Sequence, residues 1–321
     1  MTATGPLLLL LSLLGQAGPV GDAPPSTVAA IQAKHDRALL ADLAAHLAPA
    51  KKPDDAEQGY LTLFNKAIEH DWFLDYETIA TGYLKEFPSG PVRPLAQIVA
   101  TMARAQAGTF GEALTRYKGL IDGLNGPDQI DFAANFADSL ANSAISAGEV
   151  PIAREVYATL RRKFGEDSPS LKQKLDADLA RLDRVGQPAP VVSAVDLEGK
   201  PFRLEELRGK YVLVDFWATW CAPCLEELPK LQAAREKFKA RGFEVVGVSL
   251  DETKGAVVDF VRVRKLGWVQ IHNATCSADL VQAFGVTTIP ASFLVDPRGN
   301  VIRLDLHGAG LEKALDALLP R

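Results

Sequence analysis

Cysteine is scarce in this 321-residue chain, which holds only Cys221, Cys224 and Cys276. A small secreted fold stapled by disulfides uses more, so reactivity explains these thiols better than architecture. Cationic excess is absent as well: 35 Lys and Arg stand against 40 Asp and Glu, a net charge of −5. No basic stripe interleaves with aromatics, which excludes nucleic acid as a partner class. The acid surplus is no patch either. Residues 185–321 carry 17 acidic and 17 basic side chains, and the first 184 carry 23 and 18, an ordinary solvated surface. The five histidines, His35, His46, His70, His272 and His307, show no ligand spacing. No apolar run reaches the roughly 20 residues that a bilayer-spanning helix needs.

The run from Leu7 to Leu14 instead suits the core of a signal peptide. Gly15 and Ala17 put small residues at −3 and −1 of a cut before Gly18, although no Lys or Arg precedes the run. Residues 1–17 are therefore expected to be a signal peptide and the mature chain to be extracytoplasmic, periplasmic or secreted, with no transmembrane span. No cysteine lies near the cut, which disfavours a lipid anchor.

Residues 18–25, Gly-Pro-Val-Gly-Asp-Ala-Pro-Pro, form a breaker-rich linker. Residues 26–184 read as helical throughout, with Val28, Ile31, Leu39, Leu43 and Leu47 at helical spacing. Phe132, Phe136, Leu140 and Ala144 share one helix face, and Pro127-Asp128 suits that helix's start. Breakers fall at Pro53, Pro88-Ser89-Gly90-Pro91, Gly126-Pro127 and Gly165. Ala107-Gly108, Ala113, Tyr117 and Leu120 recur as Ala147-Gly148, Ala153, Tyr157 and Leu160. That pattern resembles tetratricopeptide-type helical hairpins, at an offset longer than the usual repeat of about 34 residues. An irregular helical bundle fits the same residues.

Residues 185–321 switch to alternating strands and helices. Strands are expected over 191–195, 210–216, 243–249, 291–296 and 301–306, and helices over 221–240, 254–265, 279–283 and 311–319. This order predicts a mixed central sheet flanked by helices, an α/β domain after an all-α one. Cys276 is expected in a loop before the short helix, as a buried and inert thiol.

The chemistry centres on Trp220-Cys221-Ala222-Pro223-Cys224, where an apolar strand meets a helix. A sulfur at a helix start lies beside unpaired backbone N–H groups and the positive end of the helix dipole, which stabilises a thiolate. Cys221, expected to stay partly exposed, would attack a disulfide, and the deeper Cys224 would resolve the mixed disulfide. Asp215 lies six residues upstream in an apolar strand. A desolvated carboxyl there favours its protonated form and is placed to exchange a proton with Cys224. A strand-end Asp capping a turn is the alternative. Haem attachment would need His where Leu225 stands, and zinc would need a second ligand pair. A peroxidatic Pro-x-x-x-Thr/Ser-x-x-Cys pattern meets Val214 and Ala218 instead.

Asp215-Phe216-Trp217-Ala218-Thr219-Trp220-Cys221-Ala222-Pro223-Cys224 resembles the active-site signature of the thioredoxin superfamily. Gly186-Gln187-Pro188-Ala189-Pro190, Leu207-Arg208-Gly209-Lys210, Glu227, Pro229 and Ile289-Pro290 resemble its TlpA/ResA-like branch of thiol–disulfide oxidoreductases. The likeness covers about residues 185–321. It implies that Pro290 is a cis-proline facing the cysteines and that Ile289 offers its backbone to an extended substrate, with Trp220 and Pro223 beside the pair. It implies that Pro229 kinks the active-site helix and that Asp215 is the buried acid, where many of the branch carry Asn. Glu252 is assigned to an acidic position near the cysteines, although Asp251-Glu252 equally suits a helix cap. The strand 244–249 offers no lysine to pair with Asp215.

The expectation is thus a redox enzyme, with no cofactor and no metal, that exchanges electrons with a protein disulfide or dithiol and an upstream thiol reductant. The helical domain would recruit a partner protein. The alternatives are a scaffold or adaptor that uses the helical repeats and, as a minor reading, a thiol peroxidase.

Overall fold

The computed structural model describes residues 27–47 and 56–319. The expected signal segment 1–17, the linker 18–25 and Pro53 lie outside the described residues. Among the described residues eight helices make the all-α region: α1 (Val28–Leu47), α2 (Ala56–Glu69), α3 (Phe73–Glu86), α4 (Arg93–Gln106), α5 (Phe110–Gly123), α6 (Ile130–Ala147), α7 (Val150–Phe164) and α8 (Pro169–Leu182). The breakers fall where expected. Gly108 and Gly148 end α4 and α6 with φ of 77° and 83°, a left-handed conformation that glycine adopts at no steric cost. Pro127–Gln129 form a short 3₁₀ turn that leads into α6.

Aromatic and alanine side chains fill this region. Tyr60, Phe64, Tyr83 and Phe87 make edge-to-face, tilted and stacked pairs. Phe136, Leu140 and Ala144 are buried, as their four-residue spacing predicts, and Phe132 is half-buried. The Tyr117 hydroxyl crosses from α5 to donate to the Val156 carbonyl in α7 at 3.2 Å.

The contacts divide the chain into two units. The first runs to Ala144 and includes Pro151–Leu171; the second takes Ile145–Val150 and Lys172–Arg321. Most of α8 therefore belongs with the sheet, where Arg181 pairs with Asp305 at 2.5 Å.

The second unit is built on a seven-stranded mixed sheet in the order β2-β1-β5-β4-β3-β6-β7. The strands are β1 (Ser193–Asp196), β2 (Pro201–Arg203), β3 (Tyr211–Trp217), β4 (Phe243–Ser249), β5 (Val269–Cys276), β6 (Ala291–Val295) and β7 (Val301–Leu304). β3, β4 and β5 run parallel, and the outer strands pair antiparallel. The helices are α9 (Ala222–Phe238), α10 (Lys254–Arg264), α11 (Leu280–Phe284) and α12 (Gly308–Leu318). Together with the strand order they give a thioredoxin-like domain.

Strand alternation explains the packing. Leu213 and Trp217 of β3 join Leu228, Leu231 and Phe238 of α9 and Leu311 and Leu315 of α12 in one cluster. Phe216, on the opposite face, meets Phe284 and Phe293. Before β1, the chain closes one sheet edge. Gly186 and Ala189 donate to the carbonyls of Val301 and Gly299, and Val301 donates back to Gln187.

Two expectations need correction. The first strand starts at Ser193, because Val191 stays exposed beyond Pro190. Cys276 is not in a loop but is the last residue of β5, a strand the sequence reading did not foresee.

Candidate active site

β3 delivers Asp215 and Trp217 to the carboxyl end of the parallel strands, and Ala218-Thr219-Trp220 carries the chain into α9. Cys221 is the N-cap of α9 and Pro223 lies in its first turn, where the missing N–H of proline costs no hydrogen bond. Cys221 and Cys224 form a disulfide with Cα atoms 5.3 Å apart. The Cys221 sulfur also accepts the Cys224 backbone N–H at 3.2 Å. The helix therefore aims an unpaired N-terminal donor at this sulfur, the physical condition for a stabilised thiolate after reduction. Exposure differs from expectation. Cys221 is 5% accessible and Cys224 2%, so the attacking sulfur is nearly as enclosed as its partner in the disulfide. Trp220, at 66%, is the exposed face of the motif, and Pro223 is exposed beside it.

A buried carboxylate fixes the loop before Cys221. Asp251, just after β4, accepts from the Thr219 backbone N–H at 3.1 Å, the Thr219 hydroxyl at 2.5 Å and the Ser249 hydroxyl at 2.8 Å. Its own carbonyl lies 2.8 Å from His272 Nε2. Glu252, its neighbour, is exposed and is not brought into this network. The acid of this pair that holds the loop is Asp251, which sequence reasoning passed over. Asp251 follows a serine two residues back, the one local signal for a buried carboxylate held by hydroxyl groups.

Asp215 is 8% accessible. Its carboxyl is pushed up to about 7, first by desolvation and then by the charge of Glu227. Glu227, from α9, accepts the Gly308 N–H at 3.0 Å and pairs with Lys230 at 2.7 Å. The sequence reading listed Glu227 only as a likeness; its electrostatic coupling to Asp215 is visible only in the fold. In β4 the register partner of Asp215 is Gly247, in keeping with the missing lysine.

The Ile289–Pro290 peptide bond is cis, and both residues are half-buried just ahead of β6. Ile289 packs against the cluster that contains Cys221 and Cys224. Pro229 lies inside α9, where it supplies no N–H to the Leu225 carbonyl. Cys276 is half-buried, with its thiol pushed up to about 11 by burial and secondarily by Asp279. Such a thiol holds little thiolate at neutral pH. Structure thus gathers Cys221, Cys224, Asp215, Trp220, Pro223, Ile289 and Pro290 about one end of the sheet and leaves Glu252 at the surface.

Among the described residues no helix is long and apolar enough to cross a membrane. One trio of ligand-type side chains, Asp36, Glu69 and His70, lies in the helical unit, where Lys66 bonds both carboxylates. An ammonium already supplies positive charge between them.

The sequence model of the AhpC/TSA family matches residues 185–304. The thiol–disulfide oxidoreductase ResA of Bacillus thuringiensis subsp. konkukian is 35% identical over 138 residues, 43% of this chain and 78% of that protein. ResA of Bacillus anthracis is 37% identical over 153 residues, 47% of this chain and 86% of that protein. Among solved structures, the thioredoxin domain of a thiol–disulfide oxidoreductase from Bacteroides vulgatus is 30% identical. It covers 42% of this chain and 98% of that one, with a TM-score of 0.40. A cysteine pair at the head of α9, a buried acid behind it and this extent of likeness to ResA lead to one conclusion: the chain belongs to the ResA-like family of thiol–disulfide oxidoreductases.

Proposed function

We propose that the protein reduces a specific protein disulfide outside the cytoplasm, with Cys221 as nucleophile and Cys224 as resolving thiol. The observation that carries this reading is the Cys221–Cys224 pair at the N-terminus of α9, with Asp215 buried in the strand that leads to it.

The reaction starts from the dithiol. The Cys221 thiolate attacks one sulfur of the target disulfide and a mixed disulfide forms, while the other target sulfur leaves as a thiolate. Cys224 gives its proton to Asp215 and attacks Cys221. The Cys221–Cys224 bond closes, the second target sulfur leaves, and the target has gained two electrons. An upstream dithiol reductant restores the pair by the same exchange. Asp215 is suited to the proton step because its affinity lies near neutrality, where a group both accepts and returns a proton. Trp220 and Pro223 offer an exposed apolar face to the target, and Ile289-Pro290 offers backbone to an extended segment of it.

Export rests on the Leu7–Leu14 run and the small residues after it. The helical unit is assigned to target recruitment. Cys224→Ser tests the central reading, because it should hold Cys221 in a stable mixed disulfide identifiable by mass spectrometry. Capture through Cys276 with Cys221 free would overturn the assignment. Equal inactivity of wild type and Cys221→Ser toward every protein disulfide tried would favour an adaptor. The AhpC/TSA match adds a peroxide arm: faster oxidation of the dithiol by hydrogen peroxide than by protein disulfides would make the protein a thiol peroxidase.

A further inference from the structure

Gln270 is an unusual residue for the buried first half of a parallel strand. It is 4% accessible, and a buried carboxamide needs partners for both of its ends. One end has a partner: Oε1 accepts the indole N–H of Trp217 at 3.1 Å. The other does not, since Nε2 is buried without a hydrogen-bond partner.

The strand register says where that amide lies. Asp215 of β3 faces Gly247 of β4, and Gly247 faces Gln270 of β5. Adjacent strands lie about 4.8 Å apart, so Asp215 and Gln270 flank a lane about 9.6 Å wide. Gly247 leaves that lane empty of side chain, and the Gln270 carboxamide fills it. A Cβ on Gly247 would collide with the carboxamide, whose Oε1, Cδ and Nε2 all lie within 3.0 Å of it, the oxygen nearest. Trp217, two residues beyond Asp215 on the same face of β3, holds the oxygen end. The amide is thereby stretched from β5 across β4 toward the strand that carries the acid.

We propose that Gln270 is a positioning residue of the redox site, which turns its unspent amide N–H toward the Asp215 carboxyl and reaches it across one water. A donor aimed at a carboxylate favours the ionised form, and a bridging water transmits nearly the strength of a direct bond. The amide opposes the two influences that raise the proton affinity of Asp215, burial and Glu227. Among the described residues, the neighbours that the strand register gives the acid are uncharged: Gly247 in β4 and Ser292 in β6, whose hydroxyl is engaged with Leu306; on α9 the Lys230 ammonium pairs with Glu227. Gln270 thus sets the pH at which Asp215 accepts the Cys224 proton. This deepens the proposed function and rests on its assignment of Asp215.

The test is a carbon-13 NMR titration of the Asp215 carboxyl in the oxidised full-length chain. Gln270→Leu should raise the midpoint by about one unit, a tenfold change in proton affinity. Gln270→Glu keeps the volume and an acceptor for Trp217, exchanges the N–H for a like charge, and should raise it further. Gly247→Ala displaces the amide and should move the midpoint the same way as Gln270→Leu. The pH profile of mixed-disulfide resolution should shift with the midpoint. An unmoved midpoint in variants that keep the near-ultraviolet signal of Trp217 would overturn the proposal. If Gln270→Leu fails to fold, Gln270→Glu and Gly247→Ala decide. The titration is independent of catalysis: if Asp215→Asn leaves resolution unchanged, the base role of Asp215 fails while the midpoints still judge Gln270.

Discussion

Asp36 in the helical unit and Asp215 in the sheet unit are each only 8% accessible, but Asp215 lies deep inside and Asp36 just below the surface, and they hold protons with opposite strength. Burial raises the proton affinity of both. At Asp36 it is outweighed by bonds from His70 at 2.8 Å and Lys66 at 3.1 Å, and the net shift is downward. Asp215 has no such cation, and desolvation with Glu227 carries it up to about 7. Depth of burial and the charges within reach together set the sign of the shift.

The largest test of this contrast is loss of the chemistry itself. Cys221→Ser should reduce protein-disulfide reduction to the uncatalysed background in a coupled thiol assay, with the helical unit's circular dichroism intact.

Next in size is Asp215→Asn. Between pH 4 and 7 folded Asp215 keeps a proton that the unfolded chain releases, so its contribution is most favourable below pH 4 and is lost as pH rises to about 7. Asparagine removes that deficit. The oxidised variant should be more stable than wild type at pH 8, by up to about 4 kcal/mol at roughly 1.4 kcal/mol per unit, and no more stable at pH 4. Urea unfolding at the two pH values reads the difference.

Asp251→Ala should cost about 3 kcal/mol, because it strands the Thr219 N–H and the hydroxyls of Thr219 and Ser249. It should also lower the fluorescence anisotropy of Trp220.

Asp36→Asn should act with the opposite sign to Asp215→Asn. A carboxyl with lowered proton affinity stabilises above its unfolded value, and the benefit is lost as pH falls through its folded one. The variant should be about 1–2 kcal/mol less stable at pH 7, with the gap closing toward pH 3. Matching signs for the two variants would break the comparison.

The smallest effect is Tyr117→Phe, which should cost about 1 kcal/mol through the lost bond to Val156. It should leave small-disulfide reduction unchanged.

The sequence displayed some of this plainly and concealed the rest for physical reasons. β3 and β4 were legible because buried parallel strands are continuous apolar runs. Helix ends were legible from Gly108 and Gly148 and a helix start from Pro127, which act through local backbone geometry. β5 was not, since Gln270, His272, Asn273 and Thr275 read as polar loop. Gln270 and His272 are buried against partners from elsewhere in the chain: the Trp217 indole N–H of β3 donates to Gln270, and the Asp251 carbonyl after β4 bonds His272. Asp251 stayed hidden behind Glu252 for the same reason. Neighbouring acids look alike until the fold sends one inward and the other out. Cys221, Cys224 and Asp215 stood out in the sequence because an apolar strand running into a Cys-x-x-Cys helix start is a local pattern.

The segment from Gly186 to Ala189 has a practical consequence for anyone who cuts this chain. It lies along the outer side of β7 and engages the backbone N–H and carbonyl of Val301 and the carbonyl of Gly299. A fragment begun at Val191 would bare them, and a naked strand edge is a template for another copy of itself. A fragment that retains Gly186 keeps the edge capped and should remain monomeric at concentrations where the shorter one aggregates.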